Sequence, residues 1–261
     1  MIVKPNLYSV KISTYKALMA RKTNVARARV RIAPKNPVPR RGSGKTTAPR
    51  TARASQETPY HHGALRDALL EAAERVLERD GLAGLTLRAV AREAGVSHAA
   101  PTHHFGDLSG LVSELAAIGF RQFNTAMADA CIAGGSPNEM GLARAKAYVA
   151  YARAHPGMYG LMFRTERLDM KRPSLHEAAS AAFAGLAGAV AASRHEQIHE
   201  EALSLDQAAA IARAWSLVHG FTMLLLDNRL SDILHRLPEG ADAETLLEAM
   251  LKSMVIRPPE V

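Results

Sequence analysis

The chain has 261 residues, 48% of them hydrophobic and 5% aromatic, with one cysteine and a formal charge of +8. A single cysteine excludes an intramolecular disulfide framework, and an Ala/Leu-rich chain of this length can bury a sizeable helical core. The charge is unevenly placed: residues 1–58 carry 14 Lys and Arg against one acid, whereas the other 203 residues carry 19 against 24, so the basicity belongs to a tail and says little about the folded body.

Within that tail, Pro34, Pro37, Pro39, Gly42, Gly44 and Pro49 interrupt any apolar pattern. Residues 1–58 therefore read as a basic, disordered extension, either an arm that tracks DNA or an over-long gene start. The run Gly42-Ser43-Gly44-Lys45-Thr46 is similar to the end of a phosphate-binding loop, but Pro39 stands where the first glycine is required and no apolar strand precedes it, so nucleotide binding is not expected.

From Ala64 onward the apolar residues recur at helical spacing. Leu65, Leu69, Ala72, Val76 and Leu77 share one face of a first helix that stops near Asp80 and Gly81. Thr86 precedes a second run, Leu87, Val90, Ala91 and Ala94, and can cap its first turn. Gly95 then supplies a left-handed exit, Val96 tucks beneath it, and Ser97 is placed to cap a third helix that closes at Phe105 and Gly106. Asp107 or Ser109 can cap a long fourth helix, whose stripe runs Leu111, Val112, Leu115, Ile118, Phe120 and Phe123 toward Cys131.

After Gly134-Gly135-Ser136-Pro137, helices are expected over residues 139–154, 156–163, 174–195, 206–226 and 242–254. Ser204 with Gln207 forms a capping box, and Asp242 with Glu244 sets acid at the positive end of the last helix. No strand is evident, so the fold class is all-α. The longest charge-free apolar run, residues 178–193, is too short and too Ala/Gly-rich to span a bilayer. A cytoplasmic protein with no membrane partner is expected.

Two short helices joined by a glycine turn form the smallest unit that lays a helix into DNA. The run Thr86-Leu87-Arg88-Ala89-Val90-Ala91-Arg92-Glu93-Ala94-Gly95-Val96-Ser97, followed by His98-Ala99-Ala100-Pro101-Thr102-His103-His104-Phe105, resembles the DNA-binding domain of the tetracycline-repressor (TetR) family. That likeness spans residues 64–123. A shorter one, Trp215-Ser216-Leu217-Val218-His219-Gly220-Phe221, is similar to the Trp-His-Gly segment of one subgroup's ligand-sensing domain.

The resemblance implies three parts: the extension 1–58, a three-helix DNA-binding domain over 59–107, and a helical ligand-binding and dimerisation domain over 108–261. It further implies a homodimer joined through the last two long helices, and a repressor released from a palindromic duplex operator by a small apolar effector. Thr86, Arg88, Thr102 and His103 or His104 would hold phosphates, which position the protein without reading sequence. Ser97, His98, Ala99 and Ala100 would face the major groove, with His98 the main reader. The chain departs from the family pattern at Pro101, which disfavours helix at Ala100; a cap shifted from Ser97 to His98 makes the proline tolerable, so a slightly displaced helix start is implied. It departs again at Thr102, where an aromatic residue is usual, and at Leu108, where a lysine commonly meets phosphate.

Tyr151, Met158, Met162, Phe163, Phe183, Trp215, His219 and Met223 are spaced so that several helices could line an apolar ligand cavity, with ordinary core the default reading of any one of them. Trp215 and His219 share a helix face, and each brings a polar atom that needs a partner when buried. The adjacent pairs His61-His62 and His103-His104 point to different faces and lack carboxylate or cysteine at ligand spacing, so neither metal nor cofactor is expected. Two other readings compete. One is a nonspecific nucleic-acid binder driven by the basic tail; the other is an enzyme using His219 or His155 as a base, which lacks a nucleophile–base–orienter set.

Overall fold

The computed structural model describes residues 62–131, 135–163 and 165–253. The chain divides into residues 1–56 and 57–261, and every described residue belongs to the second unit. The basic extension, the run 42–46, His61, Gly134 and the expected helix end at Met254 lie outside the described residues.

Helix α1 (His62–Gly84) buries Leu69, Leu70, Ala72, Ala73, Val76 and Leu77, the i, i+3, i+4, i+7 stripe visible in its sequence. Gly81, at φ 67°, breaks the regular helix where the Asp80-Gly81 pair marks its end. Helix α2 (Leu87–Glu93) begins with the Thr86 hydroxyl accepting the Ala89 N–H at 3.1 Å. It ends in a glycine-closed turn: Gly95 N–H donates to Arg92 O at 3.2 Å and Val96 N–H to Ala91 O at 3.0 Å. At φ 68° Gly95 has open space around it, so the left-handed backbone, not crowding, requires glycine there.

Helix α3 (Ala100–Phe105) starts two residues later than a Ser97 cap would place it and one later than a cap at His98. Ala99 stands at its cap position with no side-chain bond, and a turn closed by Ala100 N–H to Ser97 O at 3.0 Å leads in. The cause is Pro101, which restricts Ala100 but is tolerated at a helix's second position, where no intrahelical N–H is needed. Its ring is buried.

Helix α4 (Leu108–Asp129) is capped by Asp107, whose Oδ1 accepts the Gly110 N–H at 2.8 Å, and not by Ser109. It is covered on almost every side: Leu111, Leu115, Ala116 and Ala117 are fully buried. Around it lie α5 (Pro137–Ala154), α6 (Pro156–Met162), a 3-10 turn (Thr165–Arg167) and α7 (Pro173–Arg194). Then follow α8 (Leu205–Leu226), the short α9 (Ser231–Leu234) and α10 (Ala243–Ser253). Reciprocal capping boxes start α5 (Ser136/Glu139) and α8 (Ser204/Gln207). The expected helices are met to within a residue or two at most ends. The 3-10 turn and α9 are too short to leave a periodic signal. Among the described residues there is no strand.

One apolar cluster runs from Leu69 and Phe105 through the α4 stripe to Met158, Leu161 and Leu175, so the N-terminal three helices and the following body share a core. A second joins α5, α8 and α10 through Ala145, Val149, Phe221 and Leu247. A third joins α7 and α8 through Ala187, Val190, Ala210 and Ile211. By length and composition alone, α7 and α8 are each long and apolar enough to cross a membrane, which the charge-free run in the sequence did not indicate.

Candidate DNA-binding face and effector chamber

On α2, α3 and the Gly95 turn between them, Thr86, Arg88, Ser97, His98, Ala99, Thr102 and His103 are exposed, while Ala100 and His104 are half-buried. Ser97, His98 and Ala99 sit in the turn ahead of α3, so their side chains lead the helix. The Thr86 oxygen is occupied by the α2 cap, which leaves its proton free to donate. Arg75 and Arg79 on α1 grip Glu93 at the end of α2 at 3.0 and 2.9 Å. Their hydrogen bonds hold the Glu93 carboxyl below the usual carboxylate range.

Phe105, the last residue of α3, is tied to the body. The Arg66 guanidinium lies 5.5 Å from the centre of its ring, and Arg172 Nη2 donates to its carbonyl at 3.4 Å. Both arginines also meet Glu114 on α4, at 2.7 Å for Arg66 and 3.2 Å for Arg172. Glu114 is 8% exposed. Burial pushes its carboxyl up, but Arg172 and Arg66 together pull it below the ordinary carboxylate value. Nearby, Ser113 Oγ accepts the Asp169 N–H at 2.8 Å and donates to Ser109 O. Glu78 on α1 accepts the Met158 N–H of α6 at 3.1 Å.

Where α4, α5, α6 and α8 converge, three polar atoms meet inside aromatic walls. Tyr148 OH and Tyr159 OH each lie 2.8 Å from His219 Nδ1, and 3.2 Å from one another. Phe163 stands 4.7 Å and Trp215 6.1 Å from the His219 ring, centre to centre, and Phe123 is 5.0 Å from Tyr148. Tyr151 OH donates to the Gly119 carbonyl of α4 at 3.1 Å. Burial pushes the Tyr148 phenol up to about 12 and raises Tyr159 as well. Burial also lowers His219 below its usual 6.5, so the folded protein favours the neutral imidazole. Below pH 6.5 the unfolded chain binds the proton more readily. Stability is therefore expected to be full above that pH and to fall as pH drops toward the folded-state pKa. Urea unfolding midpoints between pH 7.5 and 5 check this: His219→Phe should flatten the decline.

Of the eight chamber residues the sequence points to, Tyr151, Phe163, Trp215 and His219 come together here. Met158 and Met162 are buried beside Gly119, where a Cβ would stand 2.7 Å from Met158 Sδ. Phe183 packs instead between α7 and α8, and Met223 is exposed on α8. Phe123, Tyr148 and Tyr159 complete this aromatic cluster and were not singled out from sequence. The i, i+3 spacing of Tyr148 and Tyr151 was the available signal for one of them. Two solvent-open grooves lie apart from this cluster. One, of about 500 Å³, is lined by Arg153, Pro156, Leu225, Leu226 and Leu234. The other, of about 300 Å³, lies by Leu82, Leu108, Val112 and Arg167.

A family profile described as bacterial regulatory proteins, tetR family, matches residues 69–115, and one described as tetracyclin repressor-like, C-terminal domain, matches residues 142–254. No curated protein matches the chain. Among solved structures, a protein of unknown function from Rhodococcus sp. RHA1 is similar at 33% identity and a TM-score of 0.60, over 76% of this chain and 96% of that one. The transcriptional regulator FadR from Bacillus subtilis, solved in complex with stearoyl-CoA, shares the fold at 14% identity and a TM-score of 0.52, over 72% of this chain and 95% of its own. With a TetR-type glycine-turn unit at one end and a matching helical domain behind it, the chain belongs to the tetracycline-repressor-like (TetR) family of bacterial regulatory proteins.

Proposed function

We propose that the protein is a homodimeric, cytoplasmic transcription regulator, a repressor released from a palindromic operator by a small apolar effector. The observation that carries this reading is the exposure, on α2, α3 and the Gly95 turn, of side chains suited to phosphate and base contact, while Pro101 and Phe105 anchor α3 from behind. Arg88, Thr86, Thr102, His103 and His104 hold phosphates. Ser97, His98, Ala99 and Ala100 enter the major groove, and His98 donates to a base edge. We assign DNA binding to residues 59–107 and effector binding and dimerisation to residues 108–261.

Dimerisation uses α8 and α10. Leu205, 88% exposed, begins a line on α8 that continues through Ala209, Ala212, Ser216, Gly220 and Met223 without a charge. Small residues at this spacing let a second helix approach closely. A two-fold pair would set the recognition helices about 34–36 Å apart or more. Ser216→Arg, at the middle of the line, is expected to leave a folded monomer by sedimentation and to abolish tight operator binding.

Helix α6 carries the signal. It bears Tyr159 in the chamber, presses Met158 on Gly119 of α4, and is held at its start by Glu78 of α1. An effector that displaces Tyr159 therefore acts on the DNA-binding helices through α6, and shifts occupancy only by its differential affinity for the two arrangements.

The test is selection of genomic duplex fragments by purified protein, followed by binding measurements on the fragment recovered. Wild type should prefer that fragment over random duplex by at least about 1000-fold, and His98→Ala should lose about 10-fold or more of the preference while remaining folded. Equal affinity for all duplexes would favour the nonspecific binder instead.

A further inference from the structure

The Tyr148–Tyr159–His219 triangle cannot make a hydrogen bond along all three of its edges at once. In neutral imidazole, Nδ1 offers either one proton or one lone pair, never both. If Nδ1 carries the proton it donates to one hydroxyl, and the other tyrosine cannot donate back to it. If Nδ1 accepts, its single in-plane lone pair takes one hydroxyl proton, and the second hydroxyl must turn to its neighbour. In either tautomer two of the three contacts are hydrogen bonds and the third edge, at 2.8 or 3.2 Å, has room in its hydrogen-bonding capacity for another group.

The surroundings restrict what that group belongs to. The neighbours are the rings of Phe123, Tyr151, Phe163 and Trp215 and one buried hydroxyl, that of Thr222 beside Tyr159, whose own proton goes to the Val218 carbonyl at 2.7 Å. Burial lowers His219 and raises Tyr148 with no lysine, arginine or carboxylate acting on either, while Glu74 and Glu78 act on the wall residue Tyr151. A charged compound placed at the triangle itself would lose its hydration with no counter-charge beside it. A purely apolar one would leave the triangle's spare capacity unused. Trp215 is the most exposed wall, at 39%.

We propose that the effector is an uncharged, flat, ring-containing compound whose carbonyl or hydroxyl oxygen joins the Tyr148–Tyr159–His219 triangle while its ring stacks beneath Trp215. This rests on the regulator reading and names the ligand class of its chamber.

Trp215 is the chain's single tryptophan, so its emission reports the site directly. Four probes of one size separate the chemistry: benzamide, toluene, benzoate and benzylamine, titrated at pH 7.5 into the full chain. Benzamide is expected to change Trp215 emission saturably, with benzoate, benzylammonium and toluene each at least 10-fold weaker. Tyr159→Phe and Tyr148→Phe keep the ring packing and should each bring benzamide down to the level of toluene without moving the melting temperature by more than a few degrees. If benzoate or benzylamine binds as tightly as benzamide, or no probe alters Trp215 emission, the proposal fails. It also fails if both Phe variants bind benzamide like wild type. A parallel gel-shift with the selected duplex keeps the two readings apart: DNA binding without benzamide binding overturns only the ligand class. Benzamide binding without DNA binding overturns only the regulator.

Discussion

Glu114→Ala is expected to lower the stability of the protein by about 3 kcal/mol, in the range for breaking a buried ion pair. The substitution removes the one carboxylate that Arg66 and Arg172 share. Arg172 also has its Nε buried without a partner, so losing Glu114 leaves a poorly satisfied guanidinium beside the end of α3. Arg66 is more than a third exposed and can turn to water, which keeps the loss from being larger. Denaturant unfolding measures it. Because Arg172 holds the Phe105 carbonyl, DNA affinity should fall further than the lost stability alone explains. Glu114→Gln, which keeps the shape and some hydrogen bonding, should recover part of the stability. An unfolding midpoint equal to wild type for Glu114→Ala would remove the ion pair from any account of how the two regions are joined.

Gly110→Ala has the second large effect. Alanine in a helix is ordinarily favourable over glycine by about 1 kcal/mol. Here the new Cβ would stand 2.0 Å from the Phe105 carbonyl oxygen and 2.6 Å from Arg172 Nη2. The arginine can move but the carbonyl belongs to the backbone at the end of α3, so α3 and α4 must separate. A net loss of about 3 kcal/mol is expected, at the upper end for overpacking, with weakened operator binding because α3 is displaced. Thermal unfolding and duplex titration check it. Gly157, where a Cβ would meet the flexible end of Glu78 and the Leu77 carbonyl at 3.1 Å, should tolerate alanine better.

Local features were readable in the chain because each depends on a few neighbouring residues. Thr86 and Gly95 bracket α2 as their chemistry dictates, and Ser204/Gln207 starts α8. Pro101 shows the limit of that reading. The displaced start of α3 followed from the proline, which on paper moves the cap from Ser97 to His98, and only the turn closed by Ala100 N–H on Ser97 O carries it one residue further, to Ala99. The exposure of Arg88 on α2 and of Thr102 and His103 on α3 was legible for the same reason, since helical period sets which residues of a short packed helix point away.

The aromatic cluster around His219 was half legible. Trp215 and His219 announced themselves by sharing a face, but Tyr148 and Tyr159 lie 71 and 60 residues away from His219 in sequence, and no local rule brings them to one nitrogen. Phe183 had the same apolar character as Phe163 and packs elsewhere, since hydrophobicity specifies burial and not a partner.

Taken alone, the order of residues determined an all-helical chain, the glycine-turned pair of short helices and most helix ends, because hydrogen bonds and backbone preferences within one turn decide them. Tertiary structure alone decided that Glu114 is shared by two arginines at the end of α3, that α6 is clasped by Glu78, and that two phenols and an imidazole meet. Those are contacts across scores of residues, chosen by how helices of given girth pack against one another, and packing is a property of the whole assembly of faces that no single stretch contains.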